Sequence, residues 1–277
     1  MKTIYHFSGA GNDFVVIDGR EGDVSAFREV PRIEALCREY KTDGLMILGS
    51  GDAEVDFTME FYNPDGSGGM MCGNGGRCIV AFADYLGIRP AECERSAEGV
   101  TAAPGVFLFR APDGLHTGEI LERPEDGLWT VCIKMIDVQG ITPMLGGYFL
   151  NTGTRHFVKF VDDVEQVDVD AEGKALRWDS AFAPIGTNVN FVHVAPDGLH
   201  VRTFEKGVEG ETLACGTGLT ACALVAHHAG VPTATPGVYH LRARQDWLSV
   251  NFTPGADEKF TDVYLTGPAR LVRIAGA

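Results

Sequence analysis

The chain has 277 residues, 45% of them hydrophobic, and a formal charge of −15. This length and hydrophobic content fit one large domain or two ordinary ones with a real core, and no apolar run approaches the eighteen or so residues of a membrane span. The acidic balance argues against nucleic acid and anionic membranes as partners, and is otherwise an ordinary solvated surface.

The N-terminal MKTIYHFSGAGNDF lacks the apolar stretch and small-residue cleavage site of a signal peptide, so a cytoplasmic protein is expected. Alternating apolar and polar residues predict strands at 2–7, 13–18, 55–61, 106–110 and 129–136 in the first half. The same pattern predicts strands at 156–161, 190–195, 199–204, 247–252 and 269–274 in the second. PRIEALCREY, holding Cys37, reads as a helix. The hexapeptide APDGLH occurs at 111–116 and again at 195–200, and Pro-Asp-Gly between strands is a tight-turn signature.

The seven cysteines include no CxxC and no zinc-ligand spacing, so neither a disulfide framework nor a metal site is expected. Cys37, Cys78, Cys132 and Cys222 lie in apolar segments and read as small core residues. Cys93 is uninformative. Cys72 and Cys215 stand apart. Each opens a Cys-Gly-polar-Gly segment, CGNGGRCIVAFADYLG and CGTGLTACALVAHHAG, that ends at a Gly fifteen positions on. Their offset is 143 residues (215 − 72), about half the chain. Asn12, in GNDFVVID, and Thr154, in GTRHFVKF, precede the two cysteines by sixty and sixty-one residues. Two homologous α/β halves are the economical account. Each post-Cys helix is apolar nearly all round and should be buried as the central helix of its half, stopped by Gly87 or Gly230.

A helix N-terminus offers unpaired N–H groups and the positive end of the helix dipole, which favours a thiolate and can hold a carboxylate. Gly73, Gly75, Gly76, Gly216 and Gly218 let the backbone approach a ligand. Two such termini aimed at one carboxylate would put one sulfur on each face of the adjacent carbon. That arrangement suits inversion of a carbon α to a carboxylate, with one thiolate removing the proton and one thiol returning one. GxGxxG, Walker A, HExxH and GxSxG are all missing, and nothing marks a pyridoxal-phosphate lysine, so no cofactor is expected. Lys206 beside Glu205 reads as substrate recognition, and His156 as a partner of a thiol. His227 and His228, adjacent at a helix end, read as capping or solvent-facing.

GAGNDFVVID at 9–18, FYNPDGSGGMMCGNGGRC at 61–78, LNTGTRHFVKFV at 150–161, GTNVNFVHV at 186–194 and FEKGVEGETLACGTG at 204–218 together resemble the diaminopimelate epimerase family. The resemblance implies cofactor-independent epimerisation of LL-2,6-diaminopimelate to the meso form in lysine biosynthesis, by a homodimer. It implies a mixed α/β (α+β) fold of two pseudo-symmetric domains. Each would be a mostly antiparallel curved sheet wrapped around a central apolar helix, with the active site in the interdomain cleft. The expected division is 1–117, completed by a C-terminal strand at 266–277, and 118–265. Cys72 and Cys215 become the acid/base pair, acting on the LL and meso isomers respectively. Gly73, Asn74, Gly216 and Thr217 would hold the reacting carboxylate. Asn12, Asn63, Thr154, Asn188, Glu205 and Lys206 would bind the rest of the amino acid, and His156 and Glu205 would adjust the thiols.

Four positions depart from the family pattern: many members have Arg at Lys206 and Asn-Pro-His where this chain has Thr154-Arg155-His156, and some have Gln where this chain has Gly44. Arg155 is therefore a candidate for the missing guanidinium. The alternatives are a related two-cysteine racemase or isomerase acting on another amino acid, and a redox-gated protein that binds a small ligand.

Overall fold

The structure, a computed structural model, describes residues 2–69 and 71–276. All ten alternating segments form strands. The first half contains β1 (Thr3–Gly9), β2 (Asn12–Asp18), α1 (Val30–Tyr40), β3 (Gly44–Ser50), β4 (Phe57–Tyr62) and α2 (Gly73–Tyr85). A separate small hairpin follows, β5 (Arg95–Ala97) with β6 (Val100–Ala102), then β7 (Phe107–Ala111), β8 (Gly114–Glu125) and β9 (Leu128–Lys134). The second half contains β10 (Thr142–Met144), β11 (Gly147–Asn151), β12 (Arg155–Phe160), α3 (Val169–Arg177), β13 (Asn188–Ala195), β14 (Gly198–Glu205) and β15 (Gly210–Thr212). It ends with α4 (Gly216–His228), β16 (Val238–Arg242), β17 (Trp247–Pro254) and β18 (Phe260–Gly276). None of the described helices is long and apolar enough to cross a membrane.

The chain forms two compact units, Met1–Ile133 with Gly267–Ala277, and Lys134–Thr266. The division lies at residue 133 and not at 117. The reason is that β8 and β9 pair with each other, and β9 pairs with the C-terminal part of β18, so this hairpin stays in the first sheet. In the first unit the ladder runs β1-β2-β3-β4-β7-β8-β9-β18, and β18 also pairs with β1, closing the ring. β2/β3 and β4/β7 are parallel and the other pairs antiparallel. The second unit repeats the pattern. Its ladder runs β11-β12-β13-β14-β16-β17-β18, parallel at β12/β13 and β14/β16 and antiparallel elsewhere. The duplication read from the two Cys-Gly segments therefore extends to strand directions. In each unit both parallel pairs are bridged by a helix, as parallel strands require.

One helix of each unit lies outside its sheet and one is enclosed. α1 covers β2 and β3 through Ile33 and Leu36 on Val15, Ile17, Leu45 and Ile47. α3 covers β12–β14, its Val169 joining a cluster with Phe157, Val189, Phe191 and Phe204. Sandwiched between α1 and the enclosed α2, β3 is buried on both faces, so GLMILGS carries no alternation to read. The enclosed helices are α2, buried from Gly73 to Asp84, and α4, buried at every position from Gly218 to Ala226. Each of Leu219, Leu224 and Val225, at most 1% exposed, gains about 1.5–3 kcal/mol from burial. α2 is not uniformly apolar. Arg77 is wholly buried and Asp84 nearly so, the latter accepting from Arg123, Arg89 and the Trp129 indole.

Both APDGLH segments are two-residue hairpin turns, closed by the Ala111/Gly114 and Ala195/Gly198 pairs. In each the Asp accepts from the His three residues on, at 3.2 and 2.9 Å. β7–β8 and β13–β14 hold different places in the duplicated order, so the recurrence reflects turn chemistry alone. His227, half-buried, packs edge-on against Tyr239, Phe252 and Phe260, while His228 pairs with Glu258.

Both enclosed helices end in the same paired bonds. Gly87 N–H donates to Asp84 O and Ile88 N–H to Ala83 O; Gly230 donates to His227 O and Val231 to Ala226 O. The two glycines have φ of +79° and +72°, with open space where a Cβ would stand. Gly87→Ala and Gly230→Ala should therefore each lower stability by about 1–2 kcal/mol through backbone strain alone. Urea unfolding of each variant, with an unchanged denaturant slope, is the check.

Candidate active site

In the first unit Cys72 is the N-cap of α2, with extended backbone (φ −108°, ψ 154°). Its sulfur takes the place usually held by a Ser or Asp oxygen. The Gly75 N–H donates to Sγ at 3.3 Å, and the Gly76 N–H donates to the Cys72 carbonyl at 2.7 Å. A Cβ on Gly75 would stand 3.3 Å from Sγ and 3.5 Å from Met46 Sδ, so the first turn is bare backbone lying over sulfur.

A directed chain of hydrogen bonds starts at the buried Arg77. Its guanidinium donates to Gly73 O (3.2 Å), Pro268 O (3.3 Å) and Asn74 Oδ1 (2.8 Å). With its oxygen so engaged, Asn74 turns its amide NH2 to Asn12 Oδ1. Asn12 in turn donates to Asp43 Oδ2 at 3.3 Å, and that oxygen also accepts the Asp13 N–H at 2.8 Å. Polarity thus runs from a cation to an anion through two amides, which fixes the direction of both. Asn63 has a local role: its amide donates to Ser67 Oγ at 3.0 Å and its N–H to the Ser67 carbonyl, holding the 63–67 turn.

In the second unit Cys215 is the N-cap of α4 (φ −117°, ψ 108°) and is 9% exposed. Its Sγ faces the Thr217 hydroxyl at 3.4 Å. The Thr217 hydroxyl is 2.9 Å from His156 Nε2 and 3.1 Å from Thr154 Oγ1, itself 2.9 Å from the same nitrogen. Thr152 Oγ1 donates to the Thr217 carbonyl at 2.9 Å. His156 is fully buried, and that burial lowers its pKa to about 3, so the ring is neutral at physiological pH. It acts as a hydrogen-bonding group and not as a cation beside the thiol. Asn188 donates to Arg155 O at 2.9 Å and accepts the Lys206 N–H at 2.8 Å, which seats the loop bearing Lys206. Glu205 Oε2 accepts from Thr212 at 3.0 Å.

The expected residues therefore gather in two groups: Asn12, Cys72, Gly73 and Asn74 in the first unit, and Thr154, His156, Asn188, Glu205, Lys206, Cys215, Gly216 and Thr217 in the second. Arg155 does not stand in for a substrate-facing guanidinium. Alternation along β12 puts it on the face opposite His156, where it lies 5.0 Å over the Phe149 ring and donates to Phe182 O. Sequence reasoning missed Arg77, Asn190 and Thr203. Arg77 had a signal, as the lone cation in an apolar run; Asn190 sits at an inward position of an alternating strand, where a polar residue is equally informative. The other two expected core thiols of the enclosed helices, Cys78 and Cys222, are wholly buried, and burial pushes both well above the usual thiol range.

The diaminopimelate epimerase family model matches residues 4–99 and 148–272. Full-length relatives named diaminopimelate epimerase agree. That of Chlorobaculum tepidum is 37% identical, covering 96% of this chain and 97% of the relative. That of Flavobacterium psychrophilum is 36% identical, covering 97% of each. The chain belongs to the diaminopimelate epimerase family. Solved structures extend the fold likeness further. A Bacillus anthracis phenazine biosynthesis protein of the PhzF family has a TM-score of 0.73 at 11% identity, covering 99% of this chain and 98% of that one. A hydroxyproline epimerase from Agrobacterium vitis has a TM-score of 0.63 at 16% identity, covering 99% and 91%. Against the family pattern, Thr154 puts a hydroxyl against His156 where many members have an Asn amide, and Lys206 retains a positive charge without the bidentate geometry of Arg.

The neutral, buried His156 predicts an acid limb. The unfolded chain takes up this proton near pH 6.5 and the folded chain only near 3, so the contribution is complete above pH 6.5 and is lost as pH falls towards 3. His156→Asn should lose about 2 kcal/mol less than the parent between pH 6.5 and 5, measured by urea unfolding. Parallel stability curves would show that His156 is not buried neutral.

Proposed function

We propose that this chain epimerises LL-2,6-diaminopimelate to meso-2,6-diaminopimelate by a two-thiol proton transfer without a cofactor, in lysine biosynthesis. What carries the reading is one repeated feature: in each duplicated unit of this member of the family, a cysteine is the N-cap of the enclosed helix. A thiol at that place has helix N–H groups beside it, which favour negative charge on sulfur and on a carboxylate alike.

In the proposed reaction the substrate carboxylate takes up N–H groups of the first turns, at Gly73, Asn74, Gly216 and Thr217. One sulfur, as thiolate, removes the α-proton: the C–H bond breaks, an S–H bond forms, and the electron pair moves into the enediolate. The other thiol then gives its proton to the opposite face of the carbon, leaving a thiolate. The next turnover in the same direction needs the two sulfurs to exchange protons with solvent. The distal ammonium and carboxylate are read by Asn12, Asn63, Asn188, Glu205 and Lys206. A cytoplasmic homodimer is the setting we propose, and sedimentation at micromolar concentration tests the dimer.

Turnover of LL- and meso-diaminopimelate in deuterated water under reducing conditions is the deciding experiment. The α-carbon of the product should acquire deuterium. Cys72→Ser and Cys215→Ser should each lower kcat by roughly a thousand-fold. Full activity of either variant would remove the two-thiol reading, and deuterium uptake by another amino acid but not by diaminopimelate would replace the substrate. Lys206→Met should raise KM by roughly tenfold with a smaller change in kcat, since it removes a charged contact remote from the reacting carbon.

A further inference from the structure

The polar cluster behind Cys215 has a defined direction. Asn190 on β13 is wholly buried, and its amide NH2 donates both to Phe157 O at 3.1 Å and to His156 Nδ1 at 3.1 Å. Its Oδ1 accepts the Thr203 hydroxyl at 2.9 Å. Turning the amide over would set its oxygen against the Phe157 carbonyl, which can only accept, so the backbone fixes which way it faces, and the Thr203 hydroxyl donates to the oxygen so placed. A Cβ at Gly218 would collide with the same Oδ1, so the glycine of the α4 first turn leaves the amide its place.

With a donor against Nδ1, that nitrogen must present its lone pair, and the hydrogen of the neutral ring lies on Nε2. There it meets the oxygens of Thr217 and Thr154, both at 2.9 Å. A Thr217 oxygen that accepts from Nε2–H, and from the Thr154 hydroxyl at 3.1 Å, keeps its own hydrogen for Cys215 Sγ, 3.4 Å away. In the other tautomer Nε2 would take a hydroxyl hydrogen and compete with the sulfur for it.

We infer that Asn190, held by Thr203 and the Phe157 carbonyl, is a positioning residue that locks the tautomer of His156 so that the Thr217 hydroxyl donates to the sulfur of Cys215. The inference deepens the reading of Cys215 as an acid/base group and rests on it. Asn190 touches no substrate. Its effect passes through His156 and Thr217, and a donor at Sγ stabilises the thiolate over the thiol.

The first test needs no variant. Nitrogen-15 spectra of the intact protein labelled in histidine, with the His156 signals identified by their loss in His156→Gln, should show a pyridine-type Nδ1 and a pyrrole-type Nε2. The reverse pattern overturns the inference. The second test uses Asn190→Asp, whose carboxylate can only accept, and Asn190→Leu, which has similar volume and no donor. Asn190→Asp should move the hydrogen to Nδ1, and both variants should slow iodoacetamide alkylation of the Cys215 peptide at neutral pH roughly tenfold. In a Thr217→Val background the same Asn190 changes should add nothing further. An unchanged tautomer in Asn190→Asp, or alkylation unaffected by either folded variant, overturns it. None of these readouts uses diaminopimelate. Loss of the substrate assignment with the tautomer intact would therefore fault the proposed reaction and leave the positioning role standing.

Discussion

A helix enclosed by its own sheet must begin somewhere, and the N–H groups of its first turn have no intrahelical partners. In each unit of this chain that problem falls on one short stretch of nearly bare backbone. Around α2 and α4 the sheets supply apolar walls, so the first-turn donors can be met only by the N-cap, by a few placed side chains or by a ligand. A thiol at the cap meets part of the need, as the Gly75 N–H on Cys72 shows. The rest of each unit is packed behind that turn: buried helix bodies, and paired terminal bonds at Gly87 and Gly230.

The two thiol environments share a backbone and differ in chemistry. Cys72 stands beside methionine sulfur and bare glycine backbone, and the nearby polar chain runs from Arg77 through Asn74 and Asn12 to Asp43. Cys215 stands beside a hydroxyl backed by a neutral imidazole and a fixed amide. The two-thiol inversion proposed for this chain needs one sulfur to hold a proton while the other does not. Identical surroundings would give the pair no preference, whereas these unlike surroundings provide one. The asymmetry comes from single residues on a duplicated frame: position 74 is Asn where position 217 is Thr, and the residue before the shared Phe is Asp13 in one half and His156 in the other.

Much of this was legible in the chain itself. Alternation is clearest in β4, β9 and β17, each with one buried face and one more exposed face. It failed at β3, where α1 and α2 bury both faces, and at β8, whose outer half is charged and exposed. The paired Cys-Gly segments exposed the duplication, and the family pattern named Asn12, Asn74, Thr154, His156 and Thr217, whose side chains hydrogen-bond at the first turns of α2 and α4. Arg155 shows where such reasoning stops: adjacency to His156 suggested a shared role, but a strand sends neighbouring side chains to opposite faces.

Residue type and spacing were enough to determine that two buried helices begin with cysteine, that they are stopped by glycine, and that they belong to two repeated halves. These are local matters, set by the preferences of a few adjacent residues. Tertiary structure alone decided that Asn74 and Asn190 face one way, that Arg77 sits uncoupled from solvent, and that His156 is neutral. An amide direction or a protonation state depends on oxygens and hydrogens brought together from strands and helices far apart in the chain, and no segment carries that information by itself.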